Sequence, residues 1–349
     1  MFELLKRLSE APGLSSSEDN VRNIIYEELK GHADKVEKDR LGNLIFTKEG
    51  KPPKVMLAAH MDEIGLMVKF IDEKGFVRFI KVGGFYDPSL LNQRVVIHGE
   101  KDVYGVIGSK PPHLLKEEEK KKEIKSEDMF IDVGALSRED CKKLGIKHGD
   151  PITLEREMIR LANNLVTGKA FDDRVGCAIL IETFKGLETD NSVYAVFTVQ
   201  EEVGLKGATV SSFKINPDVG IAIDVTTAGD YPGMKEHESP IYVGKGPAIK
   251  IADGRRESLG GGLISHPLVR QLLIETAKAE NIPHQVEILE GGTTDATAIH
   301  LSREGVPSGV LSIPTRYIHS AVEVLSLDDV ENSVKLLRAS LKRINEYFK

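Results

Sequence analysis

Four short segments of this chain are apolar almost throughout, and each gives way at its carboxyl end to an acidic residue or a histidine. Val55-Met-Leu-Ala-Ala59 stops at His60, and Val193-Tyr-Ala-Val-Phe-Thr-Val199 leads to Glu201 and Glu202. Val219-Gly-Ile-Ala-Ile223 stops at Asp224, and Ser308-Gly-Val-Leu-Ser-Ile313 is followed shortly by His319. Apolar runs of strand length suit central strands covered on both faces, as in sheets layered between helices. Further strands are expected at 44–47, 248–251 and 285–288, and helical patterns at 18–30, 173–185, 266–280, 295–303 and 327–347. Any of Ser15, Ser16 and Ser17 could cap the first of these helices, while Ser326 with Asp329 resembles a capping box for the last.

From about Leu66 to Leu161 the texture changes. Val68, Phe70, Val77, Phe79, Val95, Ile97, Val103 and Ile107 sit in short period-2 runs punctuated by glycine, a pattern of small β-barrels and sandwiches. The expected organisation is an α/β domain, a sheet flanked by helices, in two segments (1–65 and 164–349) interrupted by a β-rich insertion (66–163). A chain of 349 residues exceeds the size at which a single core stops growing, which favours such a division. Inside the insertion, Lys116-Glu-Glu-Glu-Lys-Lys-Lys-Glu-Ile-Lys125 is nearly all charge and reads as a solvated loop or a short polar helix.

Composition removes several classes of function. The net charge is −7, and no stretch interleaves clustered Lys and Arg with aromatics, so a nucleic-acid partner is not expected. No apolar run is long enough to span a bilayer, so no membrane role is expected either. The N-terminal residues mix charge with apolar side chains and lack the core of a secretory signal. Cys141 and Cys177 cannot form a disulfide framework and read as inert core thiols. A cytoplasmic location follows as the expectation.

Individually, the polar residues at the strand ends are weak signals. A lone His60 reads as a core histidine, Asp62 as a turn former, and Asp172-Asp173 as a helix start. Adjacent carboxylates such as Glu201 and Glu202 beside a buried strand are another matter, because they repel and resist ionisation without cations. Asp224 directly continues an apolar run with no evident helix after it. Ligands at the carboxyl ends of neighbouring strands would converge in the crevice where open α/β sheets bind substrates. Together, His60, Asp62, Asp172, Glu201, Glu202, Asp224 and His319 look like a two-metal site with a carboxylate base beside it.

These residues lie in motifs that resemble, nearly end to end, the tetrahedral dinuclear metallo-aminopeptidases, a family whose members also carry the labels glutamyl aminopeptidase, deblocking aminopeptidase and cellulase M. The motifs are Ala59-His-Met-Asp-Glu-Ile-Gly65, Gly168-Lys-Ala-Phe-Asp-Asp-Arg174, Val199-Gln-Glu-Glu-Val-Gly204, Ala222-Ile-Asp224, Gly292-Thr-Thr-Asp-Ala296 and Arg316-Tyr-Ile-His319. The resemblance implies a zinc-peptidase-like catalytic domain with an inserted PDZ-like dimerisation domain. It also implies a bridging Asp172, His60 and Asp224 completing one metal site, and Glu202 and His319 the other. Glu201 becomes the general base and Asp62 the residue that orients His60, and the Asp172-Asp173 peptide is expected to be cis. The implied cofactors are two divalent ions, Zn or Co with Mn as a further candidate. The implied partners are peptides with a free N-terminus and further copies of the chain, assembled from dimers into a hollow tetrahedral dodecamer.

Thr293 stands where the family's commoner loop has glycine, and the stretch 252–262 is also unusual, so the preferred N-terminal residue is not inherited. Arg255 and Arg256 read as solvated arginines, with attraction of acidic residues as the alternative. Two other functions remain open. A glycoside hydrolase needs two carboxyl groups facing each other across a sugar bond, which adjacent Glu201 and Glu202 suit poorly. A non-catalytic peptide-binding assembly has no use for an intact Glu201.

Overall fold

The computed structural model describes residues 1–114, 116–120 and 122–349. The chain enters its main sheet through β1 (Lys35–Lys38), β2 (Leu44–Lys48) and β3 (Lys51–His60). It then forms β4 (Gly65–Ile71), β5 (Val77–Val82), β6 (Arg94–His98), β7 (Asp102–Gly108), β8 (Phe130–Asp132) and β9 (Pro151–Leu154), which close into a barrel. Strands β10 (Ile159–Arg160) and β11 (Leu165–Gly168) lead out of it. Next come β12 (Asn191–Thr198), β13 (Val219–Thr227), β14 (Ala248–Gly254), β15 (Gln285–Glu290), β16 (Ser308–Thr315) and β17 (Glu323–Ser326). The eight-stranded sheet has the order β1-β2-β12-β3-β13-β16-β14-β15. Its four middle strands, β12, β3, β13 and β16, run parallel to one another, and β2 and β14 flank them antiparallel. The fold is mixed α/β, as the apolar runs implied.

Burial of both faces explains those runs. Strand β3 is buried at every residue from Val55 to His60, and β16 from Ser308 to Thr315. One face packs on the helix Phe171–Lys185, whose Val175, Ala178, Ile179 and Phe184 join Leu57, Phe197, Ile221 and Leu311 in the largest core cluster. Helices Pro267–Ala279 and Leu327–Lys342 complete that layer, and Lys206–Ile215 with Asp295–Ile299 covers the opposite face around Met56, Ala58 and Val196.

Two capping expectations fail. The helix Asp19–Leu29 starts at Glu18 with no side-chain cap, because Ser15 Oγ donates instead to Asp62 Oδ2 at 2.6 Å. At the last long helix Ser326 does cap, accepting from the Asp328 N–H, but Asp329 does not reach back to close a box. Its two oxygens accept from the Gly244 and Gly246 N–H groups, both at 2.7 Å. Asp329→Ala should lower the unfolding free energy by about 1–3 kcal/mol, the cost of stranding buried donors, measured by chemical denaturation.

The barrel takes one of the two forms expected for the insertion. Strand β7 alternates strictly, with Val103, Gly105 and Ile107 turned inward, and Leu66, Val68, Phe79, Ile97, Ile131 and Ile152 fill the interior. Within the charged stretch one helical turn forms at Glu117–Lys120, while Leu115 and Lys121 lie outside the described residues. Beyond the barrel, β10, β11 and β17 make a small antiparallel sheet in which Gly168 pairs with Glu323. Among the described residues no helix is long and apolar enough to cross a membrane, and both cysteines are buried and free.

Candidate metal centre and active site

Because the four middle strands are parallel neighbours, their carboxyl ends open on one edge of the sheet. His60 is the last residue of β3 and sits level with Thr198, the last of β12. Asp224 lies level with it on the other side, two residues beyond the Ala222–Ala58 pair. The expectation that Asp224 ends its strand is corrected: β13 continues to Thr227, since Val225, Thr226 and Thr227 keep pairing with Ile313, Pro314 and Thr315. Asp224 is thus a carboxylate held inside a sheet, 6% exposed. Asp172 stands at the head of the helix Phe171–Lys185, before its regular turns, and a cis peptide joins it to Asp173. His319 comes from the loop after β16, at a φ of +62°. That loop is tied at its base by reciprocal backbone bonds between Arg316 and Val324, and the Arg316 guanidinium grips both oxygens of Asp230.

The side chains meet. His60 Nε2 lies 3.0 Å from Asp172 Oδ1, and His319 Nε2 lies 3.3 Å from Asp172 Oδ2, so the two oxygens of one carboxylate face the two imidazoles. Glu202 Oε1 is 3.2 Å from His319 Nε2, while Glu201 Oε2 is 3.9 Å from His60 Nε2. The two adjacent glutamates therefore serve opposite sides of the cluster. Donor atoms of His60, Asp172 and Glu202 lie within 4.8 Å of one another, as do those of His60, Asp173 and Asp224.

Electrostatics make this cluster costly without cations. Burial first, then the nearby Asp172 charge, pushes Asp224 well above the usual carboxylate range. Burial does the same to Glu201, with Asp224, Asp295 and Glu202 adding to it against the pull of His60. Burial opposes protonation of His319, yet Asp172 and Glu202 hold it up to about 11. Glu202 Oε1 is buried, and apart from the 3.2 Å approach of His319 Nε2 it has no polar partner among the described residues. Crowded buried carboxylates and two imidazoles are the donor chemistry of divalent cations, and these residues fit such ions.

A second layer holds the first. His60 Nδ1 is 2.9 Å from the main-chain oxygen of Asp62 and 3.5 Å from its carboxylate. That carboxylate accepts from the Glu201 and Glu202 N–H groups and from Ser15 Oγ, so it fixes the turn carrying both glutamates. Asp173 accepts from the Gly176 and His60 N–H groups. Asp295 takes a 2.5 Å bond from Thr198 Oγ1, and burial pushes its carboxyl up to about 6.

The cluster floors a cleft of about 620 Å³ lined by Asp172, Glu201, Glu202, Asp224, Thr226 and His319 among others. The barrel contributes one wall through Gly84. Its neighbour Gly83, at a φ of +80°, has no room for a side chain: a Cβ there would lie 2.5 Å from Ile64 and 3.3 Å from Glu202 Oε2. Sequence reading missed Lys250, Ser15 and Glu323. Lys250 is 1% exposed in β14, lines the cleft, and its Nζ has no hydrogen-bond partner among the described residues. In the sequence it looks like the solvent-facing member of an alternating strand.

The M42 glutamyl aminopeptidase family model matches residues 42–336. The chain is 40% identical to a lysyl aminopeptidase of Pyrococcus furiosus, over 98% of this chain and 97% of the relative. Among solved structures it is similar to aminopeptidase APDkam598 of Desulfurococcus kamchatkensis, 46% identical with a TM-score of 0.93 over 98% of this chain and 94% of that one. The TET1 peptidase of Pyrococcus horikoshii, which can assemble into a tetrahedron or a large octahedral shell, is 35% identical with a TM-score of 0.87, covering 98% and 99%. With its fold and its sequence in agreement over nearly the whole length, this chain belongs to the M42 glutamyl aminopeptidase family of peptide hydrolases.

Proposed function

We propose that this chain removes single N-terminal residues from peptides, using two divalent cations held by His60, Asp172, Glu202, Asp224 and His319, with Glu201 as general base. The observation that carries this reading is the bridging posture of Asp172, one oxygen toward each imidazole. Bound there, divalent cations supply a water of lowered pKa and an electrophile for the scissile carbonyl. Imidazole and carboxylate donors suit Zn or Co, with Mn acceptable.

The protein's own part is positional and acid–base. Glu201, free of the two donor groups yet beside them, accepts the water's proton and returns it to the leaving amine. Asp62 fixes Glu201 through its main chain, so the base starts in place. The anionic floor attracts the substrate's α-ammonium group, which favours exopeptidase action. Lys250 and Arg256 bring positive charge to another wall of the same cleft. The barrel, 66–163, serves as the dimerisation unit of a tetrahedral dodecamer in the cytoplasm, with access limited to peptides; the tetrahedral assembly of the Pyrococcus horikoshii relative supports the oligomer alone.

The test is a panel of aminoacyl chromogenic substrates assayed after exhaustive chelation and after readdition of Zn, Co or Mn. Turnover should fall to background and return with metal. Full activity in protein shown to hold no metal would sink the reading.

A further inference from the structure

The loop bearing His319 and the segment bearing Asp172 come from chain positions far apart, yet one side chain touches the backbone of both. Glu323 Oε2 accepts from the Asp172 N–H at 3.2 Å, and Glu323 Oε1 accepts from the His319 N–H at 3.0 Å. Glu323 is the first residue of β17 and pairs with Gly168, the last of β11, four residues ahead of Asp172. It therefore stands where the two segments diverge. Its carboxylate is 2% exposed, and both its oxygens are engaged by backbone donors.

We propose that Glu323 is a positioning residue that sets the distance between Asp172 and His319, and with it the geometry of the Asp172–Glu202–His319 cation subsite. The inference rests on the two-metal reading above. A carboxylate is rigid, so the two N–H groups it binds cannot drift apart by more than its hydrogen bonds allow. At His319 the backbone is left-handed, an uncommon region for a residue with a side chain, and a fixed acceptor for its N–H helps hold it there. The other subsite shares Asp172 but also has His60 and Asp224, which neighbouring strands of the main sheet set without this clamp. Protonation would not dissolve the arrangement, because a neutral carboxyl keeps lone pairs on both oxygens. Glutamine would dissolve half of it: an amide oxygen accepts one N–H, and the amide nitrogen cannot accept the other.

The experiment is equilibrium dialysis of the full chain against graded Zn(II), with bound metal quantified, for wild type, Glu323→Gln and Glu323→Asp. The shorter aspartate cannot reach both donors and decides the matter if the glutamine variant does not fold. Both variants should bind the ion of the Asp172–Glu202–His319 subsite about 10- to 100-fold more weakly, the usual cost of losing an outer partner, and the other ion with a clearly smaller loss. Their kcat at limiting metal should fall and recover at saturating metal, with KM unchanged. Isotherms identical to wild type, or equal weakening of both ions alongside a lower unfolding midpoint, overturn the proposal and leave Glu323 a general structural residue. Fewer than two ions in wild type overturns the two-metal reading itself.

Discussion

Glu201→Gln should lower kcat by about a hundred- to ten-thousand-fold, the usual worth of a positioned general base, while bound metal stays at the wild-type level. The argument is geometric. Asp172 and Glu202 each place an oxygen within 3.3 Å of an imidazole nitrogen, whereas Glu201 Oε2 stands back at 3.9 Å from His60. Its backbone N–H is anchored on Asp62, which the substitution leaves alone. Glutamine matches its size and keeps an oxygen, but it cannot take up a proton from water. Loss should therefore appear in kcat at unchanged KM, since an interaction made only during proton transfer has been removed. Glu202→Gln is the contrasting case, because Glu202 faces His319 and Asp172 and belongs to a donor group; that variant should lose metal. If Glu201→Gln loses metal instead, Glu201 is a ligand and the base must be sought elsewhere in the cleft.

What the sequence disclosed follows from the physics of its central strands. Strands β3, β12, β13 and β16 are buried on both faces and are therefore written as apolar runs, and polar residues at their carboxyl ends stand out against that background. His60, Glu201, Glu202, Asp224 and His319 could be picked out for that reason alone, before any family was considered. The edges of the sheet were less legible. Strand β1, Lys35-Val-Glu-Lys38, is largely exposed and shows no pattern that distinguishes it from a loop. The helix Lys206–Ile215 contains Gly, Thr, Val and two serines, poor helix formers as a group, and it forms because Gly207, Ala208, Ser211 and Ser212 fit closely against the sheet. Residues that act on other residues were hidden most thoroughly. Ser15 looked like a helix cap and instead serves Asp62. Glu323, a lone charge between Val322 and Val324, carries no signal in the sequence and is buried against two backbone N–H groups. In both cases the decisive partner is remote in sequence, where no local periodicity can announce it.

Arg174→Met should destabilise the folded chain by about 3–5 kcal/mol, the typical cost of removing one partner from a buried charge pair. Arg174 is wholly buried, and its guanidinium does what no other cation could do in that space. Nε donates to the Met61 carbonyl at 2.8 Å, Nη1 to the Leu8 and Ala11 carbonyls at 2.5 and 2.8 Å, and Nη2 to the Gly13 carbonyl and Glu63, both at 3.3 Å. It thereby fastens the N-terminal segment to the residue after β3. Gly13 fits because it has no side chain; a Cβ there would lie 2.6 Å from Nη2. Methionine fills similar volume but takes the Arg174 donors from the Met61, Leu8 and Ala11 carbonyls, leaves the Gly13 carbonyl with the Glu63 N–H alone, and leaves Glu63 with Lys169 as its remaining cation. A shift in denaturant midpoint at unchanged slope is the readout, and against a total stability of roughly 5–15 kcal/mol the loss should be large enough to make folding temperature-sensitive. Arg174→Lys should recover a minor part of it, since one ammonium cannot span a fork of carbonyls. A variant within about 1 kcal/mol of wild type, the range of an ordinary hydrogen bond, would show that the clamp is dispensable. The consequence reaches the active site, because Gly13 is two residues from Ser15, whose hydroxyl holds Asp62, and Asp62 in turn holds the backbone of Glu201 and Glu202. Loosening Arg174 should therefore lower activity at temperatures where most of the chain is still folded, a loss that cooling restores.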